Sequence, residues 1–285
     1  MNKEKIGKAA LYGTTAALTV FTAVGLDHRL AVRHYEVKSG LVKNPVRLAL
    51  VTDLHSCRYG KNQHVLVDAI KNEKPDLLML SGDIFDNERT TKYTEIFFKE
   101  INNLFPTYMV LGNHECKCGE DDNKMKMDIV SQYSIRVLSN EVECLEINGT
   151  RINICGADDM TRYTFDDGGD EEQFFEQLKN IRNLADNGYY TVLLSHNPAY
   201  IEQYAENGFD LVLCGHAHGG QWIIPHVLNG VLAPGQGLFP KYAGGEYVKN
   251  GTRMIVSRGL ARESTPVPRF YNRPELVMID LKPED

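Results

Sequence analysis

Residues 47–55 read Arg47-Leu48-Ala49-Leu50-Val51-Thr52-Asp53-Leu54-His55, a short apolar run that ends in an Asp-x-His. An uninterrupted apolar run of this length, bounded by polar residues, is the pattern of a strand buried on both faces. Runs of the same kind recur at 76–81, 107–111, 190–195, 210–214, 253–257 and 275–281. Between them, apolar residues spaced by three and four predict helices near 63–72, 93–103, 124–133, 171–186 and 199–207. Asn148-Gly149, flanked by strand-like runs at 142–147 and 150–155, predicts a hairpin, because Asn-Gly supplies the positive φ of a type I′ turn. Strands alternating with helices predict an α/β fold in which a parallel or mixed sheet is covered by helices.

The residues just beyond each strand carry the chemistry. The first run leads into Asp53-Leu54-His55, the second into Gly82-Asp83, and the third into Gly112-Asn113-His114-Glu115. The fourth leads into Ser195-His196-Asn197-Pro198, and the fifth into Gly215-His216-Ala217-His218-Gly219-Gly220. Ligands of open α/β sheets bind beyond the carboxyl ends of the strands, so these five clusters are expected on one rim. A lone Asp-x-His is common by chance, and a Gly-Asp is usually a turn. Five groups of metal-ligand type at successive strand ends are a site.

Composition limits the alternatives. The 285 residues, 42% hydrophobic and 24% charged, suffice for one large domain with a real core. A formal net charge of -7 argues against a broad electrostatic footprint for long nucleic acid, so phosphate recognition is expected to come from a local site. The six cysteines are read mostly as free thiols, since a chain of this size needs no staples. Cys116 and Cys118 lack a second pair at zinc-finger spacing and are read as loop residues.

The start of the chain differs in kind. Lys3, Lys5 and Lys8 precede a charge-free run over 9–26 that contains four threonines and two glycines. Three readings stay open: an uncleaved signal anchor, a cleaved secretory signal ending near Ala23-Val24-Gly25, and a helix of the domain itself. The organisation expected is an anchor over 1–30, a linker over 31–45 and one domain over 46–285. Under the anchor reading the protein sits at the cell membrane with its catalytic domain extracytoplasmic, and under the second it is secreted. The Gly- and Pro-rich stretch 219–251 is expected to be irregular, a wall or lid over the site or a plain surface excursion.

The ordered set Asp-x-His, Gly-Asp, Gly-Asn-His-Glu, His, Gly-His-x-His resembles the motif set of the calcineurin-like metallophosphoesterase superfamily over about residues 47–260. The membrane-linked start, with Asp53-Leu54-His55-Ser56 and Gly215-His216-Ala217-His218-Gly219-Gly220-Gln221, is similar to its bacterial YkuE/YaeI-like phosphodiesterases. The resemblance implies a four-layer α/β/β/α sandwich of two mixed sheets with two divalent metals at the strand rim. It implies that Asp53, His55, Asp83 and His218 bind one metal and that Asp83, Asn113, His196 and His216 bind the other. Asp83 and a hydroxide would bridge the two. His114 would bind no metal and would donate a hydrogen bond or proton to the phosphoryl oxygen or leaving group. Mixed N and O donors suit Mn, Fe or Zn. Arg58 is a candidate contact for a substrate anion.

Two carboxylates facing two divalent ions leave a positive site in an acidic protein, which attracts a phosphoester. The expected activity is hydrolysis of a phosphodiester or pyrophosphate, with a phospholipid or lipid-linked diphosphate as candidate substrate if the start of the chain sits at a bilayer. A small-nucleotide phosphodiesterase or nuclease is the second enzyme reading. A membrane-tethered metal-binding adaptor is the non-enzyme one. Sequence leaves the oligomeric state open.

Overall fold

The computed structural model describes residues 3–164, 170–262 and 267–284. Residues 1–2 of the expected anchor, and 165–169, 263–266 and 285 of the expected domain, lie outside the described residues. After the helix α1 (Lys3–Gly25), the first half of the chain lays down β1 (Ala31–Ser39), β2 (Val46–Val51), α2 (His64–Glu73), β3 (Leu77–Ser81), α3 (Lys92–Ile101), β4 (Thr107–Val110), α4 (Asn113–Cys116), α5 (Glu120–Val130) and β5 (Ile135–Val137). The second half lays down β6 (Glu141–Ile147), β7 (Thr150–Gly156), α6 (Thr161–Thr164), α7 (Glu171–Leu184), β8 (Tyr190–Leu194), α8 (Ile201–Glu206) and β9 (Leu211–Cys214). A two-stranded ribbon, β10 (Leu232–Ala233) with β11 (Gly237–Leu238), precedes β12 (Gly245–Lys249), β13 (Thr252–Val256) and β14 (Glu275–Pro283).

Two mixed six-stranded sheets result, ordered β1-β14-β2-β3-β4-β5 and β12-β13-β9-β8-β7-β6. Strands β2, β3, β4 and β5 run parallel in the first, and β7, β8, β9 and β13 run parallel in the second. The hairpin expected at Asn148-Gly149 joins β6 to β7.

Period-two alternation explains the layering. Leu48 and Leu50 of β2, with Met79 of β3, pack between the sheets against Ile152, Ile154, Val192, Leu194 and Leu213. Their neighbours Ala49, Val51, Leu78 and Leu80 face outward onto Leu66 and Ile70 of α2 and Phe97 and Phe98 of α3. On the other side Leu193 and Val212 pack on Phe174, Leu178 and Ile181 of α7 and Ile201 and Tyr204 of α8. Each central strand is therefore buried on both faces, and the expected four-layer α/β/β/α sandwich is observed. Truncating Leu50 to Ala would open a cavity between the sheets at a cost of about 2–5 kcal/mol.

Some expectations need correction. The stretch read as a linker carries β1, which pairs in parallel with β14 through nine register partners from Ala31↔Glu275 to Ser39↔Pro283. Its Arg33, His34, Glu36 and Lys38 are exposed on an edge strand, where charge discourages further pairing, and such a strand has a polar sequence. The 199–207 helix opens as a 3-10 turn at Pro198–Tyr200 before α8, and α5 starts four residues earlier than expected. Among the described residues no helix is long and apolar enough to cross a membrane. All six cysteines are free.

Candidate metal centre

The carboxyl ends of β2, β3, β4, β8 and β9 meet on one rim, and backbone hydrogen bonds lock their loops together. Asp53 N–H donates to Gly82 O at 3.0 Å, and His55 N–H to Asp83 O at 3.0 Å. The Ser81 hydroxyl ties the sheets to each other by donating to Leu213 O at 2.8 Å and Ser195 O at 3.1 Å. Buried Glu115 gathers the loops after β3 and β4, accepting from the N–H groups of Asp83, Phe85 and Gly112 at 2.8–2.9 Å. Burial and the nearby Asp83 charge push the Glu115 carboxyl up to about 7.

Six of the seven candidate ligands fall into two groups here. Asp53, His55 and His218 form one group, and Asp83, His196 and His216 another, with the potential donor atoms of each group within 4.8 Å of one another. Asp83 lies between the groups. Its Oδ2 is 3.5 Å from Nε2 of His55 and 3.1 Å from Nε2 of His196. Asn113 is buried at the start of α4, and its Oδ1 makes no hydrogen bond.

Second contacts aim the rings. His55 Nδ1 pairs with Asp86 Oδ2 at 3.0 Å, and His196 Nδ1 donates to Ser81 O at 2.9 Å, so each ring turns Nε2 inward. Backbone amides hold the carboxylates: His216 N–H donates to Asp53 Oδ1 and His114 N–H to Asp83 Oδ1, both at 2.9 Å. Asp53, His55, Asp83, His216 and His218 all have φ between 46° and 66°. Non-glycine residues rarely adopt this left-handed region, and such strain concentrates where surrounding structure imposes it for function. Gly82 is needed beside them, because its φ is 83° and a Cβ there would lie 2.4 Å from Nδ1 of His196.

The donor set fits divalent cations. Asp53 Oδ2, His55 Nε2, Asn113 Oδ1, His196 Nε2 and His218 Nδ1 are buried without a hydrogen bond. Buried polar atoms are almost always paired, so five orphans converging on one rim mark a place for ions. Electrostatics splits the histidines. For His55 and His196 burial disfavours charge, yet Asp86 and Asp83 outweigh it and hold both pKa values above the ordinary range. Burial pushes His216 down to about 4 and His218 to about 3. Asp53 and Asp83 stay below the ordinary carboxylate range, because the histidines around them overcome the effect of burial.

His114 belongs to neither of these groups but, with His55 and Asp86, forms a third set whose potential donor atoms lie within 4.8 Å of one another. Its ring meets that of His55 edge-on at 4.5 Å, is about one-third exposed, and its Nδ1 donates to Asn87 Oδ1 at 2.7 Å. Arg58 is exposed, and its Nε donates to Gly60 O at 3.3 Å.

The chain matches the family model described as calcineurin-like phosphoesterase over residues 46–220. It belongs to the calcineurin-like phosphoesterase family. It is 25% identical over 264 residues to the uncharacterized metallophosphoesterase YkuE of Bacillus subtilis, covering 90% of this chain and 86% of that one. It is 26% identical over 242 residues to the phosphodiesterase YaeI of Escherichia coli, covering 83% and 82%. Among solved structures it resembles the NAD nucleotidase of Haemophilus influenzae, with a TM-score of 0.52 and 17% identity over 76% of this chain, although it spans only 46% of that larger protein. The calcineurin-like domain makes the chain a phosphoester hydrolase that uses divalent metal.

Two carboxylates of this rim are invisible to sequence reasoning. Asp86 aims His55, and its only signal is the spacing Gly82-Asp83-x-x-Asp86. Buried Asp159 bears electrostatically on His196 and His216, and its Oδ2 makes no hydrogen bond. It lies just beyond β7, a sixth strand end on the same rim, where the acidic pair Asp158-Asp159 is the available signal.

Proposed function

We propose that the chain hydrolyses a phosphodiester or pyrophosphate with two divalent cations, one held by Asp53, His55, Asp83 and His218 and the other by Asp83, Asn113, His196 and His216. The observation that carries this reading is the position of Asp83 Oδ2 between the inward Nε2 atoms of His55 and His196, neither of which makes a hydrogen bond. The N and O donors suit Mn, Fe or Zn. Bound there, the ions would supply Lewis acidity and water acidified enough to act as nucleophile at neutral pH.

The chain's own residues do the rest. Asp86 and Ser81 fix the imidazoles of His55 and His196 so that binding costs little reorganisation. His114, with Nδ1–H given to Asn87, keeps Nε2 for the substrate. Burial lowers its pKa, and an arriving phosphoryl anion opposes that shift and favours the charged imidazole. The charged ring can then donate to a phosphoryl oxygen or to the leaving group.

The substrate class we favour is lipid-linked, with α1 holding the catalytic domain at the extracytoplasmic face of the membrane. Support comes from α1 itself, where every residue from 12 to 24 is exposed although Leu18, Val20, Phe21 and Val24 are apolar. Bis(p-nitrophenyl) phosphate hydrolysis with added Mn tests the chemistry. His114→Ala should lower turnover by about 10²–10⁴-fold with metal retained, and Asp83→Asn should lose both metal and turnover. Wild-type turnover equal to that of Asp83→Asn would refute the proposal.

A further inference from the structure

The segment beyond the Gly-His-x-His cluster is built to face something apolar. Val227 is 79% exposed, Leu238 68%, Phe239 66% and Trp222 46%. These side chains stand on a fixed scaffold. Val231 N–H donates to Gly220 O, two residues past His218, while Phe239 N–H donates to Val231 O at 2.8 Å and Ile224 and Leu228 bond to each other. Phe239 is held at φ 56°, a conformation that bulky residues avoid, so backbone strain is spent on presenting this ring to the outside.

Charge identifies the partner. Residues 211–245 contain no Asp or Glu, in a chain with 38 acidic residues. Beside the apolar tips lies a groove of about 500 Å³ lined by Arg33, His226, Val227, Asn229, Arg258 and Tyr271. The Arg33 and Arg258 guanidiniums share one buried carboxylate, Glu275, at 3.3 and 4.0 Å, and Arg258 also donates to Asn229 Oδ1. Two cations against one anion leave the groove positive, next to side chains suited to hydrocarbon. The Phe270 ring joins the face to α1, lying 5.8 Å from Trp222 and 5.7 Å from Phe21.

We propose that this face, Trp222 to Phe239 with the Arg33–Arg258 groove, docks the protein on an anionic phospholipid bilayer, the apolar tips entering the interface and a lipid headgroup occupying the groove. Aromatic and aliphatic side chains on an acid-free rim beside basic groups are the composition of an interfacial contact. The inference rests on the proposed site for one consequence: the segment bearing His218 would open toward the lipid surface, where an amphiphilic phosphodiester could be taken from the bilayer.

Trp222, the sole tryptophan, reports on docking directly. Full-length protein is mixed with phosphatidylcholine vesicles, with and without phosphatidylglycerol, and with lipids brominated in the acyl chains. Expected are a blue shift and bromine quenching of Trp222 that require phosphatidylglycerol. Val227→Glu/Phe239→Glu should weaken vesicle binding by about tenfold or more, and Arg33→Gln by about fivefold. Both variants should keep wild-type turnover of soluble bis(p-nitrophenyl) phosphate, so loss of docking and loss of the catalytic site are read separately. Unquenched Trp222 on protein that floats with vesicles through α1 would overturn the proposal, as would double-variant binding equal to wild type or the absence of vesicle binding.

Discussion

Nδ1 of His55 lies 3.0 Å from Oδ2 of Asp86, 31 residues away, in a contact buried at the end of the first sheet. The pair fixes which nitrogen of His55 faces Asp83, and such outer contacts govern how firmly a ring ligand is held. Asp86→Ala should therefore reduce Mn affinity or turnover by about 10–100-fold while leaving secondary structure intact. Mn titration of the variant checks this, and wild-type affinity would show that Asp86 does not set the aim of His55.

Glu115 accepts three backbone N–H groups at full burial. Glu115→Ala would leave those donors unpaired, at about 1–3 kcal/mol for each orphaned group. The expected outcome is a clear fall in Tm together with weaker metal binding, because the loops carrying Asp83 and Asn113 come apart. Thermal unfolding with and without Mn measures both.

Gly82→Ala puts a Cβ 2.4 Å from Nδ1 of His196 on a backbone at φ 83°. A substitution incompatible with its backbone costs at least about 1 kcal/mol, and here the clash also breaks the aim of a candidate ligand. Turnover should fall more steeply than stability does. A kcat unchanged from wild type would show that His196 need not sit where it does.

Metal binding should release protons. The pKa values of His55 and His196 are raised by Asp86 and Asp83, which favours the charged rings in the metal-free protein, and a ring has to be unprotonated at the nitrogen that binds a cation. His216 at about 4 and His218 at about 3 are already neutral there and release none. Calorimetry in buffers of different ionisation enthalpy near pH 7 should report net proton release on loading, to which a metal-acidified water adds. Apparent affinity should rise with pH until the raised pKa values are passed.

Much of this site is legible in the sequence because the strands that carry it are buried on both faces. Such strands read as unbroken apolar runs, and the residue types at their ends name the chemistry; Asp53, Asp83, Asn113, His196, His216 and His218 all obey that rule. Strand β1 is illegible because an edge strand with Arg33, Glu36 and Lys38 looks like solvated coil. Asp86 and Asp159 are hidden for a different reason: an aspartate in a loop after a strand is ordinarily a turn residue, and only its contact with His55 or its nearness to His216 sets it apart. The apolar tips over 222–239 give no periodic signal because irregular backbone and the two-residue strands of a short ribbon present them.

The central claim is that Asp83 joins two cations held by side chains from both sheets. Anomalous diffraction from crystals soaked in Mn tests it most directly. The account predicts two peaks on either side of the Asp83 carboxylate, about 3.5–4 Å apart, one near His55 and His218 and the other near Asn113, His196 and His216. A single peak, or peaks away from Asp83, would contradict it.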